Sequence, residues 1–273
     1  MTDAAIQTTR YTVTRPGYAT PVELSVVEVG AGHPFLLLHG GAGPASFLSF
    51  ASQLGAQRPA RVLVPTHPGF NGTPRPADIA DVRALAALYV ALLDRLDLRD
   101  VTVVGNSIGG WIAAEIALLN SPRVSSVVVM NGVGIDVPGH PVADFFALSL
   151  DELTDLSYHD PARFRLDPTT VTERQKAIMG TNRQAIALYG GKTMTDPTLA
   201  DRLDKVTVPT LVLWGQSDRI VDPDYGKAYA TAIPGARHQP LERTGHLPQI
   251  ETPTVALAAI WDFAQRHATR STP

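Results

Sequence analysis

The 273-residue chain contains no cysteine, which excludes disulfides, thiolate metal sites and a cysteine nucleophile. It has no excess of either charge: 23 Lys and Arg against 26 Asp and Glu leave a net charge of -3. That balance, with a sequence pI near 6.2, gives no basic footprint for nucleic acid or an anionic membrane surface. No apolar run approaches the roughly 18 residues of a transmembrane helix. Met1 to Arg10 is polar and lacks the apolar core of a signal peptide. A cytoplasmic protein with a small-molecule substrate, no nucleic acid and no membrane is expected, as a monomer or homodimer. Internal repeats and low-complexity tracts are also missing.

Cofactor motifs fail on inspection. Gly190-Gly191-Lys192-Thr193 ends like a phosphate loop, but the first glycine position is Ile186 and no strand precedes it. Gly132-Val133-Gly134 starts like a dinucleotide fingerprint, but position 137 is Val. No His-Glu-x-x-His or clustered His and carboxylate spacing suggests a metal. No cofactor and no metal are therefore expected.

What the chain does have is a core. Hydrophobic residues make up 44% and charged ones 18%, enough for one large α/β domain with an insertion. Tyr11 to Thr14 and Val22 to Val29 read as an antiparallel entry hairpin. Pro34 to Leu38 is a short, wholly apolar run, as expected for a strand covered on both faces. Helix-like segments at Pro44–Ala56 and Asp81–Leu96 alternate with strand-like Arg61–Pro65, Val101–Val104 and Val124–Met130. For the second helix, Asp78 or Asp81 is the candidate cap. This alternation predicts a mostly parallel, doubly wound sheet.

The rhythm breaks at Gly132 and resumes near Val206. Between them lie helix-like pieces at Asp144–Tyr158, Thr170–Tyr189 and Asp196–Leu203, the last with Asp196 as N-cap and Pro197 at the first helical position. A helical insertion of roughly 70 residues reads as a cap over a site rather than a loop. The expected division is a core of 1–131 and 206–273 with a helical cap of 132–205. The core resumes with Pro209–Trp214, Pro223–Ala232, Ala236–Leu241 and a closing helix Thr254–His267.

The chemistry centres on Gly105-Asn106-Ser107-Ile108-Gly109, which follows an apolar strand and opens an Ala-rich helix, the context of a nucleophile elbow. A serine hydroxyl is a weak nucleophile at neutral pH and needs a base, itself oriented by a third group. Downstream, Gly215-Gln216-Ser217-Asp218 and Gly245-His246 deliver an acid and a histidine at strand ends, where open α/β sheets gather their functional groups. Asp222 competes with Asp218 but equally suits a cap before Pro223. Asp218 is preferred because it lies nearer the strand end. His238 falls at the wrong end of its strand. His39 reads as structural, and His67 as either pocket-lining or exposed.

These pieces, with His39-Gly40-Gly41 after a strand and Gly245-His246-Leu247-Pro248, resemble the α/β-hydrolase superfamily over nearly the whole chain. The resemblance implies an α/β-hydrolase fold with a helical cap inserted after the sixth strand. It further implies attack on a carbonyl by Ser107, proton transfer by His246 and orientation of the imidazole by Asp218. The backbone N–H groups of Ile108 and Gly41 would form an oxyanion hole. Ala42, Asn106, Phe145, Phe146 and Leu247 are the candidate substrate contacts. Phe164 and Tyr189 are further aromatic candidates, while Trp111 reads as packing.

Within the superfamily the Ser107 and His39 motifs look most like meta-cleavage-product hydrolases, which break a carbon–carbon bond in dienone acids. That branch places tryptophan after its histidine, where this chain has Leu247, and uses a cap arginine for the substrate carboxylate, for which Arg174 and Arg183 are candidates. His-Leu-Pro also resembles enol-lactonases and small carboxylesterases. Hydrolysis of an ester or lactone of a small, largely apolar substrate through a Ser107 acyl-enzyme is therefore placed first, and carbon–carbon cleavage second. Cofactor-free perhydrolase or haloperoxidase chemistry is a related alternative. A non-catalytic ligand-binding protein is the reading from another class.

Overall fold

The computed structural model describes residues 6–18 and 20–268, so the first half of the Met1 to Arg10 reading lies outside the described residues. Eight strands form one sheet in the order β1-β2-β4-β3-β5-β6-β7-β8. They are β1 (Gln7–Val13), β2 (Val22–Gly30), β3 (His33–Leu38), β4 (Ala60–Pro65), β5 (Val101–Asn106), β6 (Val124–Met130), β7 (Thr210–Gly215) and β8 (Arg237–Leu241). β2 pairs antiparallel with both β1 and β4. The other pairings, from β4 through β3, β5, β6 and β7 to β8, are parallel. This is the doubly wound, mostly parallel sheet that the alternating pattern predicts.

The two-residue period of the strands divides their side chains between two cores. Leu36, Leu38, Val103, Val127, Val129, Val212 and Trp214 face one side, packed with helices α2 (Val82–Arg95), α3 (Ile108–Leu118) and α7 (Pro223–Ala232). Phe35, Leu37, Val104, Val128, Met130, Leu211 and Leu213 face the other, packed with α1 (Ala45–Gln57) and α9 (Pro253–His267). Every residue of β5 and β7 is buried, which explains why those strands read as unbroken apolar runs. Of the two candidate caps for α2, Asp81 fills the role, its carboxylate accepting the Ala84 N–H at 2.7 Å.

Between β6 and β7 lie α4 (Leu150–Ser157), α5 (Glu173–Gly190) and α6 (Leu199–Arg202). Two expectations change here. The helix expected over Asp144–Tyr158 is confined to α4, because Ser149 and Glu152 form a capping box that starts it there. Asp144 instead closes a turn by accepting from the Phe146 and Ala147 N–H groups. Asp196 does not cap a helix beginning at Pro197 either. One of its oxygens folds back on the Thr198 N–H at 2.8 Å, and the helix begins at Leu199. The other oxygen meets Arg83 at 2.7 Å and Arg202 at 3.0 Å. Hydrogen bonds from Arg83 and Thr198 outweigh burial and hold the Asp196 carboxyl down at about 2. Arg202 also grips the buried Glu115 of α3 through both oxygens, at 2.6 and 2.8 Å. That network ties the end of the insertion to α2 and α3. Among the described residues no helix is long and apolar enough to cross a membrane.

Candidate active site

Ser107 sits between β5 and α3 with φ 58° and ψ −122°, a conformation an L-residue adopts only under constraint. The flanking glycines supply that constraint. A Cβ on Gly105 would lie 1.9 Å from the Gly109 carbonyl oxygen, and one on Gly109 would lie 2.0 Å from the Leu38 carbonyl oxygen. Only glycine fits at either position, so helix and strand can close tightly around the serine. The Ser107 N–H donates to the Met130 carbonyl at 3.2 Å, and its own carbonyl accepts from Gly110 and Val133. The backbone is thus fixed while the side chain projects from the turn.

Asp218 and His246 follow β7 and β8. The Asp218 side chain is fully buried, and four donors converge on it. One oxygen accepts the Ile220 and Val221 N–H groups at 2.8 and 3.1 Å. The other accepts from the Asn131 amide at 2.7 Å and from His246 Nδ1 at 2.8 Å. The carboxylate acts here purely as an acceptor, with two contacts on each oxygen. It places the His246 proton on Nδ1 and leaves Nε2 free to take one. Sequence reasoning missed Asn131, although it directly follows β6 as Ser107 follows β5, at the same carboxyl end of the sheet.

The rival residues do other work. Asp222 caps α7 by accepting from the Asp224 and Tyr225 N–H groups, both at 2.9 Å, and its second oxygen meets His140 Nδ1 at 2.7 Å. His140, Asp222 and Asp224 come within 4.8 Å of one another, a clustering the sequence spacing did not suggest, but caps and the Lys227 ion pair already engage them. His238 lies on β8 opposite Val212.

His67 is neither pocket-lining nor exposed, contrary to both sequence readings, because it is wholly buried against His39. Their rings stack at 3.7 Å between centroids. His39 Nδ1 donates to the Gly40 carbonyl at 2.8 Å, and its Nε2 accepts the His67 N–H at 3.1 Å. His67 Nε2 donates to the His39 carbonyl at 2.9 Å, and its Nδ1 accepts from the Tyr89 hydroxyl. Burial pushes His67 down to about 4, and burial with its neighbour pushes His39 well below the ordinary imidazole value. Both rings are neutral, each in a single tautomer, and together they lock the turn that carries Gly41.

A cavity of about 520 Å³ opens over Ser107 and His246, bordered also by Gly41, Ala42, Ile108 and Leu247. Neither the Gly41 nor the Ile108 N–H has a hydrogen-bond acceptor among the described residues. Asn106 borders the cavity, but its amide is engaged by protein: it donates to the Met130 and His246 carbonyls and accepts from Gln249 at 3.1 Å. Of the aromatic candidates, Phe145 and Phe164 line the cavity. Phe146 does not; its ring packs edge-on against Phe145 and beside Arg183. Tyr189 is turned away to donate to the Pro68 carbonyl at 2.8 Å. Trp111 is buried against Gly134, as expected of packing. Arg183 of α5 reaches the cavity, whereas Arg174 is exposed.

Sheet topology and serine elbow define the class: the chain belongs to the alpha/beta hydrolase family, whose model matches residues 35–260. Its relatives are more particular. The chain is 29% identical over 248 residues to a 2-hydroxymuconate semialdehyde hydrolase of Pseudomonas putida, with 86% of each chain covered. It is 28% identical over 269 residues to a 2-hydroxy-6-oxo-2,4-heptadienoate hydrolase of the same species, covering 89% of this chain and 92% of the other. Among solved structures it is similar to an esterase from Thermogutta terrifontis, with a TM-score of 0.76, 24% identity, and 96% and 100% of the two chains covered. It is also similar to a meta-cleavage product hydrolase from Pseudomonas fluorescens IP01, with a TM-score of 0.71, 20% identity, and 94% and 97% covered. At those identities the structural likeness is one of fold.

Proposed function

We propose that this protein hydrolyses a carbon–carbon bond beside a ketone in a carboxylate-bearing dienone acid, with Ser107 as nucleophile, His246 as base and Asp218 holding the imidazole. The observation that carries this reading is Arg183. Arg183 borders the same cavity as Ser107 and His246, and its guanidinium donates to the Phe146 carbonyl and lies 5.6 Å from the Phe145 ring. It has no carboxylate partner among the described residues, and no Asp or Glu lines the cavity. A cation in a largely apolar pocket is costly unless an anion joins it, and a guanidinium pairs with a carboxylate in a two-pronged fashion. The relatives' names support the same reading. They reverse the order reached from sequence alone, which put ester or lactone hydrolysis first.

In this reading the Ser107 hydroxyl adds to the ketone while its proton passes to His246 Nε2. The oxyanion is received by the N–H groups of Ile108, at the positive end of α3, and of Gly41. The carbon–carbon bond then breaks, its electron pair leaving with the conjugated acid fragment, and His246 returns the proton to that fragment. Water hydrolyses the acyl-serine by the same route. A carbon leaves readily only when its electron pair is delocalised, which the dienone acid provides once its enol proton has moved to the carbon beside the ketone, so that the pair released there runs through the remaining double bond onto the acid's own carbonyl. Ester or lactone hydrolysis is the second reading, favoured by Leu247 on the cavity wall where the resemblance leads one to expect tryptophan.

Arg183→Gln tests the assignment. A lost charge-assisted hydrogen bond of about 1.5–3 kcal/mol corresponds to a KM for a dienone acid raised roughly 10- to 100-fold. The KM for a neutral p-nitrophenyl ester should move far less in the same steady-state assays. Equal shifts for the two substrates would remove the carboxylate from the account.

A further inference from the structure

The segment 156–160, at the end of α4, is stitched to the loops on both sides of the candidate site. On one side the Arg219 N–H donates to the Leu156 carbonyl at 3.1 Å, and His159 Nδ1 meets the Ser217 hydroxyl at 2.7 Å, so Asp218 is bracketed. On the other, the His246 N–H donates to the Ser157 carbonyl at 2.6 Å. The approach is close enough that a Cβ on Gly245 would lie 2.2 Å from that carbonyl oxygen. The same segment builds the cavity wall with Ser157 and Tyr158.

Glu251 closes this arrangement from behind. It is the last residue of α8 (Pro248–Glu251), five positions after His246. One carboxylate oxygen accepts the Gly245 N–H at 2.6 Å. The other accepts the His159 and Asp160 N–H groups at 2.8 and 3.1 Å. No basic side chain pairs with it among the described residues, so its charge is met by three backbone donors drawn from two segments. Charge-assisted hydrogen bonds of this kind are the strong ones and fix geometry. A helix-end carboxylate that only stabilised its own helix would have no reason to bridge segments about ninety residues apart.

We propose that Glu251 is a positioning residue that joins the inserted segment to the His246 loop, holding the cavity wall and the imidazole as one unit. It acts through Gly245 and never touches substrate. This rests on the reading of Ser107 and His246 given above. Loosening the bridge should displace His246 from the serine, so the loss falls on the rate constant of every Ser107 reaction, whatever the size of the substrate. A merely structural glutamate would change the melting temperature and leave that rate constant alone.

Glu251→Gln retains shape but turns an NH2 group toward one set of donors. The full chain is treated with a small fluorophosphonate, and labelling at Ser107 is timed by mass spectrometry beside steady-state kinetics. The expected result is labelling at least tenfold slower than wild type, with kcat for p-nitrophenyl acetate down by a similar factor and KM changed less than threefold. Glu251→Asp, which keeps the charge on a shorter arm, should recover part of the rate, and it serves alone if the amide variant is insoluble. Labelling and kcat at wild-type values in folded Glu251→Gln, or in folded Glu251→Asp when only that variant is available, overturn the proposal while leaving the serine reading intact. Absence of Ser107 labelling in the wild type itself overturns both.

Discussion

Asp218→Asn should lower kcat by about four orders of magnitude, whereas Asp222→Asn should leave it within roughly threefold. The difference follows from what each carboxylate accepts. Asp218 receives two backbone N–H groups on one oxygen, and the Asn131 amide and His246 Nδ1 on the other. An asparagine offers one acceptor oxygen and one NH2 group, so two donors must face another donor. If the NH2 faces His246, the imidazole takes the opposite tautomer, with Nδ1 accepting and Nε2 already protonated. It can then no longer accept the serine proton. If the amide is reversed, two buried N–H groups lose their acceptor, at a cost of about 1–3 kcal/mol each. The variant should therefore melt at lower temperature as well as turn over slowly. Asp222, by contrast, caps α7 and pairs with His140, and asparagine is a good N-cap. Steady-state kinetics with melting curves on both variants separate the roles; retained activity in Asp218→Asn with loss in Asp222→Asn would transfer the acid to position 222.

Ser107→Ala should remove nearly all turnover, with kcat falling by about 10⁵ or more to the residue left by the oxyanion donors and binding alone. The fold should be unaffected. The φ of 58° is imposed by the glycine-lined closure between β5 and α3, and alanine adopts it about as well as serine. The melting temperature should move by no more than about 2 °C, and substrate should still bind because Arg183 and the apolar wall are intact. Turnover above about one per cent of wild type in a well-folded Ser107→Ala protein would mean that water, not Ser107, attacks the substrate. Ligand-induced thermal shifts without turnover in the wild type would instead favour a binding protein.

The parts of this arrangement legible in the sequence are those that local chemistry forces. The elbow required glycine at 105 and 109 because backbone passes within 2 Å of where a Cβ would stand. The buried strands declared themselves as apolar runs, and the split of alternate residues between two cores follows from their period. The insertion was less legible because its helix starts depend on tertiary partners. Asp196 looks like an N-cap until Arg83 and Arg202 claim one of its oxygens, and Asp144 turns the chain five residues before the Ser149 capping box. The burial of His67 is not legible in the sequence because its partners, His39 and Tyr89, lie 28 and 22 residues away. Asn131, Gln249 and Glu251 gave no motif, since each acts on groups brought close only by folding.

The carbon–carbon assignment is tested most directly by comparing kcat/KM of the wild-type protein for a 2-hydroxy-6-oxo-2,4-dienoate, followed by loss of its conjugated absorbance, with that for p-nitrophenyl butyrate. The account predicts a ratio of at least about 100 in favour of the dienoate, the equivalent of about 2.7 kcal/mol at the transition state. A ratio below one, with the dienoate recovered intact, would contradict it and make the protein an esterase.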